Sequence, residues 1–253
     1  MYDFLCGLLS DRKGEIIFTC FGIWHLIFIV FFVALAVLLT IYLKGKSYDK
    51  KKRTADIFIN ISFGLYIADF FLMPFAYGEI DIEKLPFHAC TAMCVMCFVS
   101  RYNKFFGRFK TNFAALGFIS NLVYLIYPAG VMWYGVSPIT YRVIQTLCFH
   151  GFMSVYCFLV LWFENDDFKW KYFYRDIITV TCMTLWAMLG NFMYNSDEKI
   201  YNWFFVIRDP FYILDAKISV YIMPVLNIIL FAVVEALVYF IFQKTRRRIK
   251  HEA

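Results

Sequence analysis

Long apolar runs separated by short polar segments dominate the chain. A helix rises ~1.5 Å per residue, so about 20 apolar residues cross a hydrocarbon core ~30 Å thick. Runs of that kind predict seven spans, at roughly 18–43, 55–77, 86–101, 112–134, 139–163, 174–195 and 218–243. The third is short: it either extends through Arg101 or forms a partly re-entrant segment. The expected fold is all-α, a polytopic seven-transmembrane-helix bundle that makes one membrane domain of residues 1–253. The N-terminus carries no basic stretch ahead of a first apolar run long enough to span, so no cleavable signal peptide is expected.

The polar segments set an orientation. "KGKSYDKKKR", "RYNKFFGRFK" and the terminal "KTRRRIK" are rich in Lys and Arg. Such segments stay on the cytoplasmic side. The acidic "GEIDIEK" (78–84) and the uncharged "YGVSPIT" (134–140) alternate with them and are expected outside. The mixed-charge loop 164–175 is then cytoplasmic by elimination. An odd number of spans puts the N-terminus out and the C-terminus in the cytoplasm, as a multi-pass protein of the cell membrane. Residues 195–217 mix aromatic and charged side chains, which suits a segment lying in the interface or folding back over the outer mouth.

Composition supports the membrane reading. The chain is 62% hydrophobic and 17% charged, against ~45–50% and ~25% in soluble domains. One soluble core would not bury that excess. The net charge of +6 comes from the short basic clusters, so topology accounts for it and no nucleic-acid partner is expected. Most of the eight cysteines fall inside apolar runs, where small buried thiols pack as hydrophobes. Cys94 and Cys97 form one isolated CxxC.

Ionisable groups inside spans are costly and mark functional positions by default. Here they are His25, Asp69, His88, His150 and Glu235, joined by Asn60, Asn121, Asn191 and Asn227. Helix rise places His25, Asp69, His88 and His150 in the outer half and Glu235 in the inner half. All six prolines also lie in the outer half or outer loops. Pro86, Pro138 and Pro210 mark helix ends; Pro74, Pro128 and Pro224 fit that role less well, and breaks on one side suggest an outward-opening cavity.

A thiol beside imidazoles is the arrangement for a nucleophilic cysteine. In "LPFHAC" (85–90), His88 and Cys90 are two apart and leave a helix on different faces, so His150 is the better base for Cys90, with Cys94 a second candidate nucleophile. Packed thiols and hydrogen-bonded core histidines are the competing reading. His25, Asp69, His88 and His150 would make zinc ligands if they converged, but no HxxxH or HExxH spacing is present and no metal or other cofactor is expected.

"WHL" (24–26), "LPFHAC" (85–90), "SPITYRVIQTLCFHGFM" (137–153), and "LGNFMY" (189–194) followed by "RDPFYILD" (208–215) resemble the YwaF-like integral membrane protein family. Its eukaryotic relatives include a multi-pass phospholipid acyltransferase of the TMEM series. The resemblance implies a helical membrane fold with an outward pocket and a cysteine–histidine acyl chemistry on membrane lipids. It assigns candidate roles to His25, His88, Cys90, Arg142, Gln145, His150, Asn191 and Tyr194. Cys90 would carry the acyl group and His150 would move the proton. Asn191, Tyr194 or Gln145 would donate to the oxyanion. Arg142 would hold a lipid phosphate, and Asp69 would orient a histidine. The alternatives are a non-catalytic transporter or lipid-binding protein, and a metal-dependent seven-span lipid hydrolase. A retinal photoreceptor is set aside, because Lys217 lies only at the edge of the last span.

Overall fold

The computed structural model describes residue 9 and residues 16–77, 82–132, 135–163, 169–197, 199–208 and 213–251. Residues 78–81 of the acidic loop, 164–168 of the mixed-charge loop, Pro210 and Cys6 lie outside the described residues. The described chain is helical, with no strand among the described residues.

The principal helices are α1 (Ile23–Leu43), α2 (Tyr48–Tyr77), α3 (Ala89–Val99), α4 (Lys110–Ile126), α5 (Tyr141–Phe163), α6 (Tyr174–Tyr194) and α7 (Ala216–His251). Six of them are long and apolar enough to cross a membrane. Helix α3 is the exception. Its 11 residues rise only about 16 Å, half a hydrocarbon core. The expected span over 86–101 is thus realised as a shorter apolar helix.

Two compact units emerge, one from the described parts of 1–84 and 120–163, the other from those of 85–119 and 164–253. In the first, α1 and α2 pack against α5. Most of α5 is buried, whereas α1 buries only His25, Phe32 and Leu43 and leaves Ile23, Ile27, Val30, Val37 and Ile41 exposed. An apolar helix that shows its aliphatic side chains outward is solvated by lipid. The Phe32 ring of α1 packs against Gly151 on α5. A Cβ there would meet the Phe32 ring at 2.2 Å, so only glycine admits that ring. Helix α1 ends at Gly45, whose φ of +75° suits a residue without a Cβ.

In the second unit α6 packs against α7, and the 3₁₀ turn Trp203–Phe205 packs on both. Pro74 and Pro224 are interior to α2 and α7 rather than at their ends. The seven described cysteines are all free thiols.

Candidate functional site

The first unit gathers its polar groups around the first half of α5. Tyr141 opens that helix and donates its hydroxyl to Asp69 Oδ1 on α2, at 3.0 Å. The other Asp69 oxygen pairs with Lys84 Nζ at 2.9 Å. Asp69 is therefore held by a lysine and a phenol. A carboxylate so deeply buried needs that compensation. The sequence offered no signal for the lysine, which sits in an acidic segment. Arg142 follows Tyr141 and is buried. One turn on, Gln145 donates its Nε2–H to the Leu65 carbonyl at 3.3 Å and accepts from the Thr146 hydroxyl.

His150 lies about one and a half turns further along α5 and is buried. Its Nδ1 is 2.8 Å from Asn121 Oδ1 on α4. An amide oxygen only accepts, so Nδ1 carries the proton and Nε2 carries the basic lone pair. The Tyr124 ring stacks on the imidazole, 3.9 Å between centroids and 16° from parallel. Asn121 and Tyr124 are three residues apart on α4 and so face the same neighbour. Together they fix the ring's tautomer and its plane. Asn121 stood out in the sequence only as one of four asparagines in apolar runs, and Tyr124 not at all.

His25 has a different occupation. Its Nδ1 accepts the Phe21 N–H at 2.9 Å, so its proton is on Nε2, which donates to the Leu125 carbonyl at 2.8 Å. Leu125 is in the last turn of α4, where carbonyls lack a partner within the helix. His25 thus closes the start of α1 and the end of α4 at once. Both ring nitrogens are committed to backbone, which makes this histidine a clamp.

The second unit places His88 at the N-cap of α3 and Cys90 in its first turn, half-buried. Phe204 N–H points at His88 Nδ1, 3.4 Å away. Asn191 on α6 accepts the Trp203 N–H at 3.1 Å and donates to the carbonyls of Ala187 and Trp203. Asn227 on α7 donates to the carbonyls of Phe204 and Phe205 at 2.8 and 3.1 Å. Three polar side chains from three helices therefore pin residues 203–205. Phe204 and Phe205 sit at φ of 55° and 54°, a conformation non-glycine residues hold only when the surroundings impose it. This pinned turn lies within the aromatic and charged 195–217 segment.

Phe87, next to His88, fixes the entry to α3. Its ring stacks on Trp186 and tilts against Trp203, both at 5.0 Å, with Tyr194 at 6.0 Å. Trp186 Nε1 donates to the Pro86 carbonyl at 2.7 Å. Pro86 itself needs no amide hydrogen in the turn before a helix. Of the sequence-predicted residues, His25, Asp69, Arg142, Gln145 and His150 belong to the first unit, and His88, Cys90, Asn191 and Tyr194 to the second. No three His, Cys, Asp or Glu side chains gather as metal ligands among the described residues.

Six membrane-length helices carrying buried histidine, asparagine and carboxylate groups define a multi-pass helical membrane protein. Its family follows from sequence: the chain belongs to the TMEM164 family, whose model matches residues 20–247. No curated protein and no solved structure matches the chain.

Proposed function

We propose that the protein acts on membrane lipids as an acyltransferase or acyl hydrolase, with Cys90 as nucleophile and His150 as general base and acid. The observation that carries this reading is the bond from His150 Nδ1 to Asn121. It leaves the basic lone pair on Nε2, as the histidine of a Cys–His–Asn constellation requires. Cys90 stands half-buried in the first turn of α3.

In this reading the Cys90 sulfur attacks the ester carbonyl of a phospholipid, and the thiol proton passes to His150 Nε2. The carbon–oxygen bond breaks, the lysolipid alkoxide takes the proton from His150, and a thioester remains on Cys90. A lysolipid hydroxyl, or water, then attacks the thioester while His150 removes its proton. The thiol is restored when that proton returns to sulfur. Gln145 or Tyr194 supplies a donor to the oxyanion. Asn191 has its amide engaged with backbone and serves to hold the turn. Arg142 takes the lipid phosphate. Asp69 positions Tyr141, and through it the start of α5.

The same reading takes α3 with its flanking residues as a seventh pass, the N-terminus outside and the C-terminus in the cytoplasm of a cell-membrane protein. Its basis is the charge alternation of the loops.

The test is purified protein with a phospholipid labelled in its acyl chain. A hydroxylamine-sensitive label on Cys90, absent from Cys90→Ala and trapped or slowed in His150→Ala, is expected. Wild-type protein that never becomes labelled, yet exchanges lipid between vesicles, would favour the transporter or lipid-binding alternative.

A further inference from the structure

The second unit holds another polar cluster that acyl chemistry does not use. It lies where α4 and α6 begin. Asp176, in the first turn of α6, accepts the Tyr239 hydroxyl on Oδ2 at 2.7 Å, and its Oδ1 has no well-formed hydrogen bond among the described residues. Glu235 precedes Tyr239 by one turn on α7 and so shares its face. Among the described residues neither oxygen of Glu235 has a hydrogen-bond partner, and the residue is 0% exposed. It lies within electrostatic reach of Asp176. Asn112, from α4, is also 0% exposed. Its amide adjoins Asp176 without a well-formed hydrogen bond, and both its polar atoms lack a partner. The rings of Trp170 and Phe173 close over Tyr239 at 5.4 and 5.5 Å.

Buried carboxylate oxygens find donors, cations or protons in nearly every folded protein. Here the Tyr239 hydroxyl serves Asp176, and no donor to Glu235 stands among the described residues. The nearby Arg175 turns its guanidinium to the Arg108 carbonyl and the Tyr172 ring. What the group offers is oxygen: Asp176 Oδ1, both Glu235 oxygens and the Asn112 carbonyl. An all-oxygen donor set with two negative charges matches a hard divalent cation in ligand type and in charge, with water completing its coordination.

We propose that Asp176, Glu235 and Asn112 bind a divalent cation of the Ca²⁺ or Mg²⁺ type, tying α4, α6 and α7 together at this end of the unit. Tyr239 orients Asp176 from behind. Sequence spacing gave no hint of it, because the three ligands come from three helices.

The probe is Mn²⁺, followed by electron paramagnetic resonance on full-length protein in detergent, with Ca²⁺ as competitor and melting temperature as a second readout. One Mn²⁺ per chain, displaced by Ca²⁺, is expected, with a higher melting temperature in Ca²⁺. Glu235→Gln should weaken binding by roughly 100-fold and abolish the Ca²⁺-dependent rise. Should Glu235→Gln fail to fold, Asn112→Ala removes a neutral ligand and should weaken binding by about 10-fold. Wild-type protein that binds no Mn²⁺ and melts at the same temperature with or without Ca²⁺ overturns the proposal. So does a folded Glu235→Gln or Asn112→Ala that binds Mn²⁺ as tightly as wild type, since the ion would then sit elsewhere.

Discussion

His150 donates its Nδ1–H to Asn121 Oδ1, 2.8 Å away on a neighbouring helix, and that hydrogen bond leaves Nε2 as the basic nitrogen of the ring. Replacing His150 with alanine should lower acyl transfer by ~10²–10⁴-fold, the usual worth of a positioned acid–base group. Asn121→Ala should lose part of that factor, with lipid KM little changed, because it frees the tautomer without removing the base. Steady-state kinetics on both variants checks the order. Equal activity in Asn121→Ala and wild type would detach the pair from catalysis.

Cys90 makes a sharper test than loss of activity. Cys90→Ser keeps the shape of the first turn of α3 and should fold normally, yet form no hydroxylamine-sensitive acyl adduct. Intact-protein mass spectrometry after incubation with phospholipid reads the difference directly. Cys94 is fully buried one turn further along. If the adduct forms there instead, the nucleophile is misassigned.

Asp69 and Lys84 form a pair in which the carboxylate is 2% and the lysine 22% exposed. Removing one partner of a buried pair leaves an uncompensated group and costs ~3–5 kcal/mol, and the partial exposure of Lys84 puts the loss below that range. Lys84→Met should therefore lower the unfolding temperature clearly. The double variant Asp69→Asn with Lys84→Met should recover most of the loss, since the amide still accepts from Tyr141. Thermal unfolding of the single and double variants measures the coupling.

Gly190 leaves room for one specific ring. A Cβ there would lie 2.5 Å from Phe87, and Phe87 is hemmed in by Trp186 and Trp203. Gly190→Ala should destabilise by ~1–3 kcal/mol through overpacking. The companion change Phe87→Leu should relieve part of the clash. Melting curves for both, alone and combined, test whether the cost comes from this contact.

The turn at 203–205 separates strain from packing. Phe204 and Phe205 share the same left-handed backbone, but Phe204 is 4% exposed and Phe205 45%. Phe205→Gly should be nearly neutral, because the backbone relaxes and little packing is lost. Phe204→Gly should cost several-fold more through its lost core contacts. Asn227→Leu, which strips donors from the Phe204 and Phe205 carbonyls, should cost ~1–3 kcal/mol and hasten proteolysis within this segment. Limited trypsin digestion and melting curves report both.

The sequence alone determined the helices, and it did so because crossing a membrane is a local property: enough apolar residues in a row, bounded by charge. Six of the seven expected spans exist as helices of membrane length, though the first begins at Ile23 rather than 18 and the second at Tyr48 rather than 55. The third fell short because α3 starts only at Ala89, after the turn that seats Phe87 and caps the helix with His88. His150 and Cys90 were legible as candidates, since an ionisable or reactive group in an apolar run is conspicuous by itself. What each polar group bonds to was decided only by the tertiary structure. Tyr141 and Asp69 are 72 positions apart, His150 and Asn121 29, and Tyr239 and Asp176 63. Hydrogen bonds act over about 3 Å, so such partners are chosen by how helices rotate and pack. That is why His25 became a clamp on two helix ends, why Asn121 emerged beside His150, and why Glu235 joined a cluster that no spacing along the chain encodes.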